Sequence, residues 1–383
     1  VQANRIMIVS GEASGEMYGA RLVEEARRIN PGLSFFGMGG QRMREAGVDI
    51  LVDAADMAVV GLIEVIAHFG VIRRAYATLR NILREDPPQL LILIDYPDFN
   101  LLLARVAKKA GVKVLYYISP QVWAWRAGRV HKIARLVDHM AVVFPFEVPF
   151  YEKAGLAVTF VGHPLVDMVK PAMGKTAACS SCGLDPLRPV VGLFPGSRKG
   201  EVKRLFPVIL ETARLLRERF PDLQFVLPMA SSLTMDDLQP QIAASGLAVT
   251  VVDGRVHDVI QACDVIVTVS GTVTMEIALL GVPMVIIYKV SPLTYAIGTK
   301  LIRVDHIGIC NIVSGERVVP ELTQHDAVPE KIAAELGKML IDRDYSESIR
   351  EKLHRVRSLL GESGASQRVA RLAVDMLEQG NPR

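Results

Sequence analysis

Cysteine is scarce in this sequence, with four in 383 residues. One close pair, Cys179 and Cys182, lies in a serine-rich stretch. A single Cys-x-x-Cys without a second ligand pair is a poor zinc signal, and it reads as a loop with two free thiols. Long apolar runs are missing too. No stretch reaches the roughly 18 uncharged apolar residues of a membrane-spanning helix, and the first apolar run, 6–9, is too short for a signal-peptide core. Aromatic residues make up only 6% of the chain, and none interleave with basic residues as on a single-strand-binding surface. The net charge of +3 gives no basic field on the scale of nucleic-acid binding. The glycine-rich turn at 10–19 spaces its glycines by four, which is not the dinucleotide fingerprint. Nor does an Asp-x-Asp metal motif follow any plausible strand.

What is present is alternation. Hydrophobic residues are 50% and charged residues 22% of the chain, enough for two cores in a chain of this length. Short β-rich apolar runs at 6–9, 34–36, 90–94, 112–118, 137–143 and 158–161 are separated by helical patterns such as 21–29 and 101–110. After an irregular polar stretch the pattern restarts, with strands at 190–194, 225–228, 249–252, 265–269 and 284–287, a helix at 202–219 and a charge-rich helical end at 330–377. Strands joined by crossover helices make parallel sheets. The expected fold is α/β, with two doubly wound Rossmann-like domains facing across a cleft. Expected boundaries are 1–166 for the first domain, 167–189 for a linker, 190–345 for the second domain and 346–383 for terminal helices packing back toward the first. Ligands in such sheets bind beyond the strand C-termini.

Chemistry-bearing residues fall at those strand ends. In the second half, Gly196, Ser197 and Arg198 follow one strand, and Ser270, Gly271 and Thr272 follow another. Helices that start right after buried strands offer free N–H groups and a positive dipole end, which suits a diphosphate beside Arg198. In the first half, Ser10, Gly11, Glu12, Ser14 and Gly15 form a small-residue turn suited to a phosphorylated or hydroxyl-rich ligand, and 37–40 is a second glycine cluster. Asp95 ends the strand at 90–94, where a general base belongs. Asp98 and Asn100 have a competing use as caps of a helix starting near Leu101. Both tryptophans, Trp123 and Trp125, sit with Arg126 after another strand, as core anchors or as pocket walls for sugar or acyl chain. His163, in a Gly-His-Pro turn, reads equally as a hinge residue or a ligand.

Together, Ser10-Gly11-Glu12-Ala13-Ser14-Gly15, Asp95-Tyr96-Pro97-Asp98-Phe99-Asn100, Ser119-Pro120-Gln121-Val122-Trp123-Ala124-Trp125-Arg126, Gly162-His163-Pro164-Leu165, Pro195-Gly196-Ser197-Arg198 and Ser270-Gly271-Thr272 resemble, in order, the bacterial lipid-A-disaccharide synthases. One departure is Glu16, where that family usually has Asp. The resemblance implies a glycosyltransferase-B fold and an inverting transferase. It would join UDP-2,3-diacylglucosamine to 2,3-diacylglucosamine 1-phosphate, giving a β-1,6 disaccharide and UDP. On this reading Asp95 is the base, with Asp98 the runner-up in an acceptor site that includes the residue 10–15 turn, Trp123, Trp125 and Arg126. The donor occupies Gly196, Ser197, Arg198, Ser270, Gly271 and Thr272, with Glu276 on the ribose and Asn311 near the nucleotide. No metal or other cofactor is expected.

Rival readings are a UDP-N-acetylglucosamine 2-epimerase, a lipid-linked N-acetylglucosaminyl transferase, or a non-catalytic nucleotide-sugar-binding protein. The apolar stretch 59–72, with Ile63, Ile66 and Phe69, runs into Arg73 and Arg74. A core helix would look similar, but an apolar patch with a basic flank also suits an anionic membrane surface. The expected location is therefore cytoplasmic, peripherally attached to the inner membrane. A homodimer is left open.

Overall fold

The computed structural model describes residues 4–57, 62–120, 128–170, 173–290 and 306–379, without the side chains of 13, 56–57 and 62–69. The chain divides into two compact units. One comprises Val1–Pro164 with Leu360–Arg383, and the other Leu165–Leu359.

The first unit is built on a seven-stranded parallel sheet: β1 (Asn4–Ser10), β2 (Leu33–Gly39), β3 (Asp49–Asp53), β4 (Leu90–Ile94), β5 (Lys113–Tyr117), β6 (His139–Val142) and β7 (Ala157–Phe160). Its spatial order is β3-β2-β1-β4-β5-β6-β7. All five residues of β4 are fully buried, as expected for a central strand covered on both faces. Met7, Val9, Leu91 and Leu93 pack with Leu79, Leu83 and Leu103 from the helices Leu62–Glu85 and Pro97–Lys109. The alternate residues Ile6, Ile8 and Ile92, equally buried, point to the other face. There the terminal helix Ala365–Glu378 lies along Ala13–Ile29. Each such side chain contributes about 1.5–3 kcal/mol by leaving water.

The second unit repeats the plan with six parallel strands: β8 (Val190–Phe194), β9 (Gln224–Met229), β10 (Val249–Asp253), β11 (Val265–Val269), β12 (Met284–Tyr288) and β13 (Glu321–Thr323). Their order is β10-β9-β8-β11-β12-β13.

Several elements differ from the sequence expectation. The stretch expected as a linker carries helices, Leu165–Met168 and Lys175–Ser181, and the second packs on Val256–Ala262. Cys179 and Cys182 are therefore buried free thiols on and just after a helix, not loop thiols. The helix Arg343–Leu359 belongs to the second unit, against Val273–Leu279, and only the chain after it joins the first. The 37–40 glycines are closely packed by neighbouring groups. Gly37 lies inside β2 at φ +145°, where a Cβ would meet the Ile8 carbonyl oxygen at 2.2 Å, and the register to β3 shifts there. Gly37 lets two strand backbones close-pack, while Gly39 and Gly40 make room for the Met43 and Glu16 side chains.

Candidate active site

Strand order reverses once in each sheet, between β1 and β4 and between β8 and β11. In doubly wound sheets the ligand crevice lies at that reversal, beyond the strand C-termini. Residues 10–15 and Asp95 occupy the first reversal. Gly196, Ser197 and Arg198, with Ser270, Gly271 and Thr272, occupy the second.

At the first reversal the chain makes a strained turn. Asp95 and Tyr96 both have φ of +46°, a conformation that costs roughly 1–2 kcal/mol per non-glycine residue. Several contacts impose it. The Asp95 N–H donates to the Tyr117 carbonyl at 3.1 Å. Both lone pairs of the Asp95 carbonyl are used, by Asn100 Nδ2 at 2.7 Å and the Tyr116 hydroxyl at 2.6 Å. Asn100 Nδ2 also reaches the Ile94 carbonyl at 3.2 Å. The Tyr96 ring packs so closely on residue 11 that a Cβ there would come within 2.5 Å of it, which is why Gly11 is glycine. The Asp95 side chain, half-buried, has its pKa pushed up to about 6. Burial is the main cause, followed by the negative charge of Glu12, with the Tyr96 N–H opposing.

Asp98 is placed differently from expectation. The helix begins at Pro97, not near Leu101, and Tyr96 is its N-cap. Asp98 therefore stands in the first turn and caps nothing. Its side chain is 85% exposed and pairs with Arg129 at 3.1 Å. Asn100, the other candidate cap, is fully buried and bonds back to the strand end.

Around the turn, Ser10 is fully buried, and its hydroxyl sits where a Cβ on Gly15 would fall, 2.6 Å away. Glu12 is exposed and Ser14 half-buried. Glu16 serves the fold, since its carboxylate accepts the Arg42 N–H at 2.7 Å and so caps the helix Gln41–Glu45. Trp123, Trp125 and Arg126 lie outside the described residues. Just before them, Ile118 has φ of +65°, unusual for a β-branched residue. Ser119 is held by Tyr151, oxygen to oxygen at 2.6 Å. His163 is buried between Tyr18 and Phe144, and burial lowers its pKa to about 3. It is neutral at physiological pH, so it brings no positive charge there.

The second reversal is less strained. Gly196 takes φ of +99°, and a Cβ would strike Val269 at 2.9 Å and the Glu201 carboxylate at 3.0 Å. Arg198 is the N-cap of the helix Lys199–Arg219, which starts three residues earlier than the sequence pattern implied. Its guanidinium is 59% exposed and leans on Glu201 at 3.0 Å. Tyr288, at the end of β12, lies among Glu201, Arg198 and Arg204 and was not anticipated. Burial raises its hydroxyl pKa, helped by Glu201. The helix after Ser270, Gly271 and Thr272 is short, Val273–Leu279, and Glu276 on it bonds His257 at 2.9 Å.

Asn311, expected near the nucleotide, is bound up in the fold beside the Ser270 turn, whose hydroxyl donates to the Ile307 carbonyl at 3.3 Å. It is fully buried, and its amide is committed to the fold. The side-chain nitrogen donates to the Val319 carbonyl at 2.9 Å and to Glu321 at 2.6 Å, while the oxygen accepts the N–H groups of Val318 at 2.8 Å and Val319 at 3.0 Å. Glu321 in turn receives Ile307 and Gly308 N–H groups at 2.9 and 2.8 Å. Asn311 thus fastens β13 to the helix Ile309–Ser314. An open pocket of about 600 Å³ lined by Lys175, Gln261, Asp264 and Arg350 flanks the starts of β11 and β12, away from the strand C-termini.

The described residues contain no group of three or more His, Cys, Asp or Glu able to hold a metal ion. They also contain no helix long and apolar enough to cross a membrane.

The family described as lipid-A-disaccharide synthetase matches residues 6–374. The chain belongs to that family. It is 68% identical over 375 residues to the lipid-A-disaccharide synthase of Geobacter sulfurreducens, covering 98% of both chains, and 50% identical over 376 residues to that of Nitrosococcus oceani, covering 98% and 97%. Family membership makes it a glycosyltransferase of lipid A disaccharide synthesis. Among solved structures it is similar to the UDP-GlcNAc 2-epimerase of Neisseria meningitidis bound to UDP-GlcNAc, with a TM-score of 0.68 at 13% identity over 97% of this chain and 100% of that one. It is also similar to CalG4, the calicheamicin glycosyltransferase, with a TM-score of 0.61 at 16% identity over the whole of both chains. These likenesses are of fold, and the fold is glycosyltransferase-B.

Proposed function

We propose that the chain transfers a 2,3-diacylglucosaminyl group from its UDP conjugate to the 6-hydroxyl of 2,3-diacylglucosamine 1-phosphate, with inversion, giving the β-1,6 disaccharide 1-phosphate and UDP. The observation that carries this reading is Asp95, a carboxylate held in a strained turn at the strand reversal with its pKa raised to about 6. Such a group is still mostly ionised at neutral pH, yet it is a better proton acceptor than an ordinary aspartate. The hydroxyl oxygen attacks the anomeric carbon, its proton goes to Asp95, and the anomeric C–O bond breaks with both electrons leaving on UDP.

Charge that grows on the departing diphosphate meets Arg198 and the free N–H groups at the start of Lys199–Arg219. In this reading they replace a divalent metal, and no cofactor is used. Ser270, Gly271 and Thr272 complete the diphosphate cradle, and Glu276 takes the ribose hydroxyls. The first unit holds the acceptor through Ser10, Gly11, Glu12, Ser14 and Gly15, with Trp123 and Trp125 against its sugar or acyl chain and Arg126 beside them, and the second holds the donor.

Diacylated substrates leave a bilayer at a cost of about 0.8 kcal/mol per CH₂, so the enzyme works at the cytoplasmic face of the inner membrane. Arg73 and Arg74 are exposed on the helix Leu62–Glu85, in keeping with an anionic surface. The side chains of Ile63, Ile66 and Phe69 lie outside the described residues.

The test is mass spectrometry of the products from a diacylated UDP-glucosamine and its 1-phosphate acceptor. A tetra-acylated disaccharide 1-phosphate plus UDP supports the proposal. UDP-sugar isomerised without the acceptor would establish an epimerase instead.

A further inference from the structure

A general base must sit within hydrogen-bond reach of its proton, and a small misplacement is costly. Asp95 is held in place by two residues that are themselves fully buried. Tyr116, on β5, is fully buried and donates its hydroxyl to the Asp95 carbonyl at 2.6 Å. Asn100, one turn into the following helix and also fully buried, donates to the same carbonyl at 2.7 Å and to the Ile94 carbonyl at 3.2 Å.

We infer that Tyr116 and Asn100 are positioning residues for the transferase reaction, clamping the Asp95 carbonyl from two sides so that the left-handed turn aims the carboxylate at the acceptor hydroxyl.

Three features carry this. The backbone at Asp95 and Tyr96 is in a region that non-glycine residues avoid, so something must impose it. Two side-chain donors converge on one carbonyl and fill both of its lone pairs. They come from different elements, a neighbouring strand and the next helix, so they triangulate the turn rather than follow it. Polar groups in a buried core are otherwise a liability. The Tyr116 hydroxyl donates to the residue that carries the proposed chemistry and is itself met by the Asn100 side chain.

The inference rests on Asp95 being the base, and a double-mutant cycle separates the two claims. Kinetics of Tyr116→Phe, Asp95→Asn and the double variant are measured with saturating acceptor and varied donor, with thermal midpoints recorded. Tyr116→Phe keeps the ring and the packing. Expected is a fall in kcat of roughly 10- to 100-fold with the donor KM unchanged. Expected too is no further loss when the substitution is added to Asp95→Asn, because the clamp then has no base to aim. Asn100→Ser, which shortens the second donor, should show the same split. A Tyr116→Phe variant with wild-type kcat beside an inactive Asp95→Asn variant would overturn the clamp and leave the base standing. An equal loss on the Asp95→Asn background would also overturn it, since Tyr116 would then act by another route. An Asp95→Asn variant with full turnover would overturn the base assignment and the clamp with it.

Discussion

The two strand reversals solve opposite problems with the same topology. At the first, the chain is forced into an unfavourable backbone, a carboxylate is half-buried beside another acid, and its pKa rises to about 6. At the second, a glycine absorbs the awkward turn, a 21-residue helix begins, and an exposed arginine stands at its start. A base gains from partial desolvation and from being fixed, and both cost stability. An anion clamp gains from positive charge, free N–H groups and access. Of these two turns only the first holds non-glycine residues at positive φ, although Arg255 and Gln324 in the second unit adopt it elsewhere, and substitutions at the two turns should differ in kind as well as in size.

The largest effect is expected at the first reversal. Asp95→Asn should lower turnover about 10³-fold, within the range for losing a general base, while UDP binding measured by calorimetry stays unchanged. It should also raise stability. The folded pKa of Asp95 lies above its unfolded value, so the folded state holds the proton more tightly, and stability is lost as pH rises from about 4 through about 6. Removing the charge should recover about 1 kcal/mol at pH 7.5 after allowance for solvent screening, a midpoint increase of roughly 2–4 °C that disappears near pH 4. A lower midpoint at pH 7.5 would break the contrast between a strained and a relaxed site.

At the second reversal, Arg198→Lys keeps the charge but loses the planar fork. Turnover should fall about 10²-fold, as for loss of one oxyanion donor, with no gain in stability. A raised donor KM at unchanged kcat would mean that Arg198 binds ground and transition states alike.

Two further substitutions should act on the fold more than on the chemistry. Asn311→Ala leaves Glu321 and the Val318 and Val319 N–H groups short of partners. About 2–3 kcal/mol should be lost, lowering the thermal midpoint by roughly 5–10 °C, and kcat at permissive temperature should stay near wild type. The smallest effect belongs to Asp98→Asn, which removes one exposed ion pair. It should change stability by less than about 0.5 kcal/mol and turnover by less than about twofold. An inactive Asp98→Asn variant beside an active Asp95→Asn variant would exchange their roles.

These contrasts were legible in the sequence to different depths. Buried central strands announce themselves as unbroken apolar runs, so β4, β8 and β11 were read with their bounds nearly right. The edge strands β3 and β13 carry no such signal, because Asp49–Asp53 and Glu321–Thr323 are partly exposed and lack an apolar run. The helix start at Pro97 was misplaced although proline at the first helical position is a known signal. Asp98 and Asn100 looked like caps and outweighed it. The 167–189 stretch reads as irregular, yet Ala178 and Cys179 form the buried side of a short helix that Cys182 closes. The roles of Tyr116, Asn100 and Glu16 depend on partners in other elements, which no local pattern reveals. Asn311 shows the converse: an asparagine at a suggestive place can be wholly absorbed by its own fold.

The most direct measurement is the pH dependence of kcat/KM for the wild type and for Asp95→Asn. With Asp95 as base, the wild-type value should fall about tenfold per pH unit below an apparent pKa near 6, and the residual activity of the variant should be flat across the same range. A variant that retains the acid limb would place the base elsewhere and contradict the assignment.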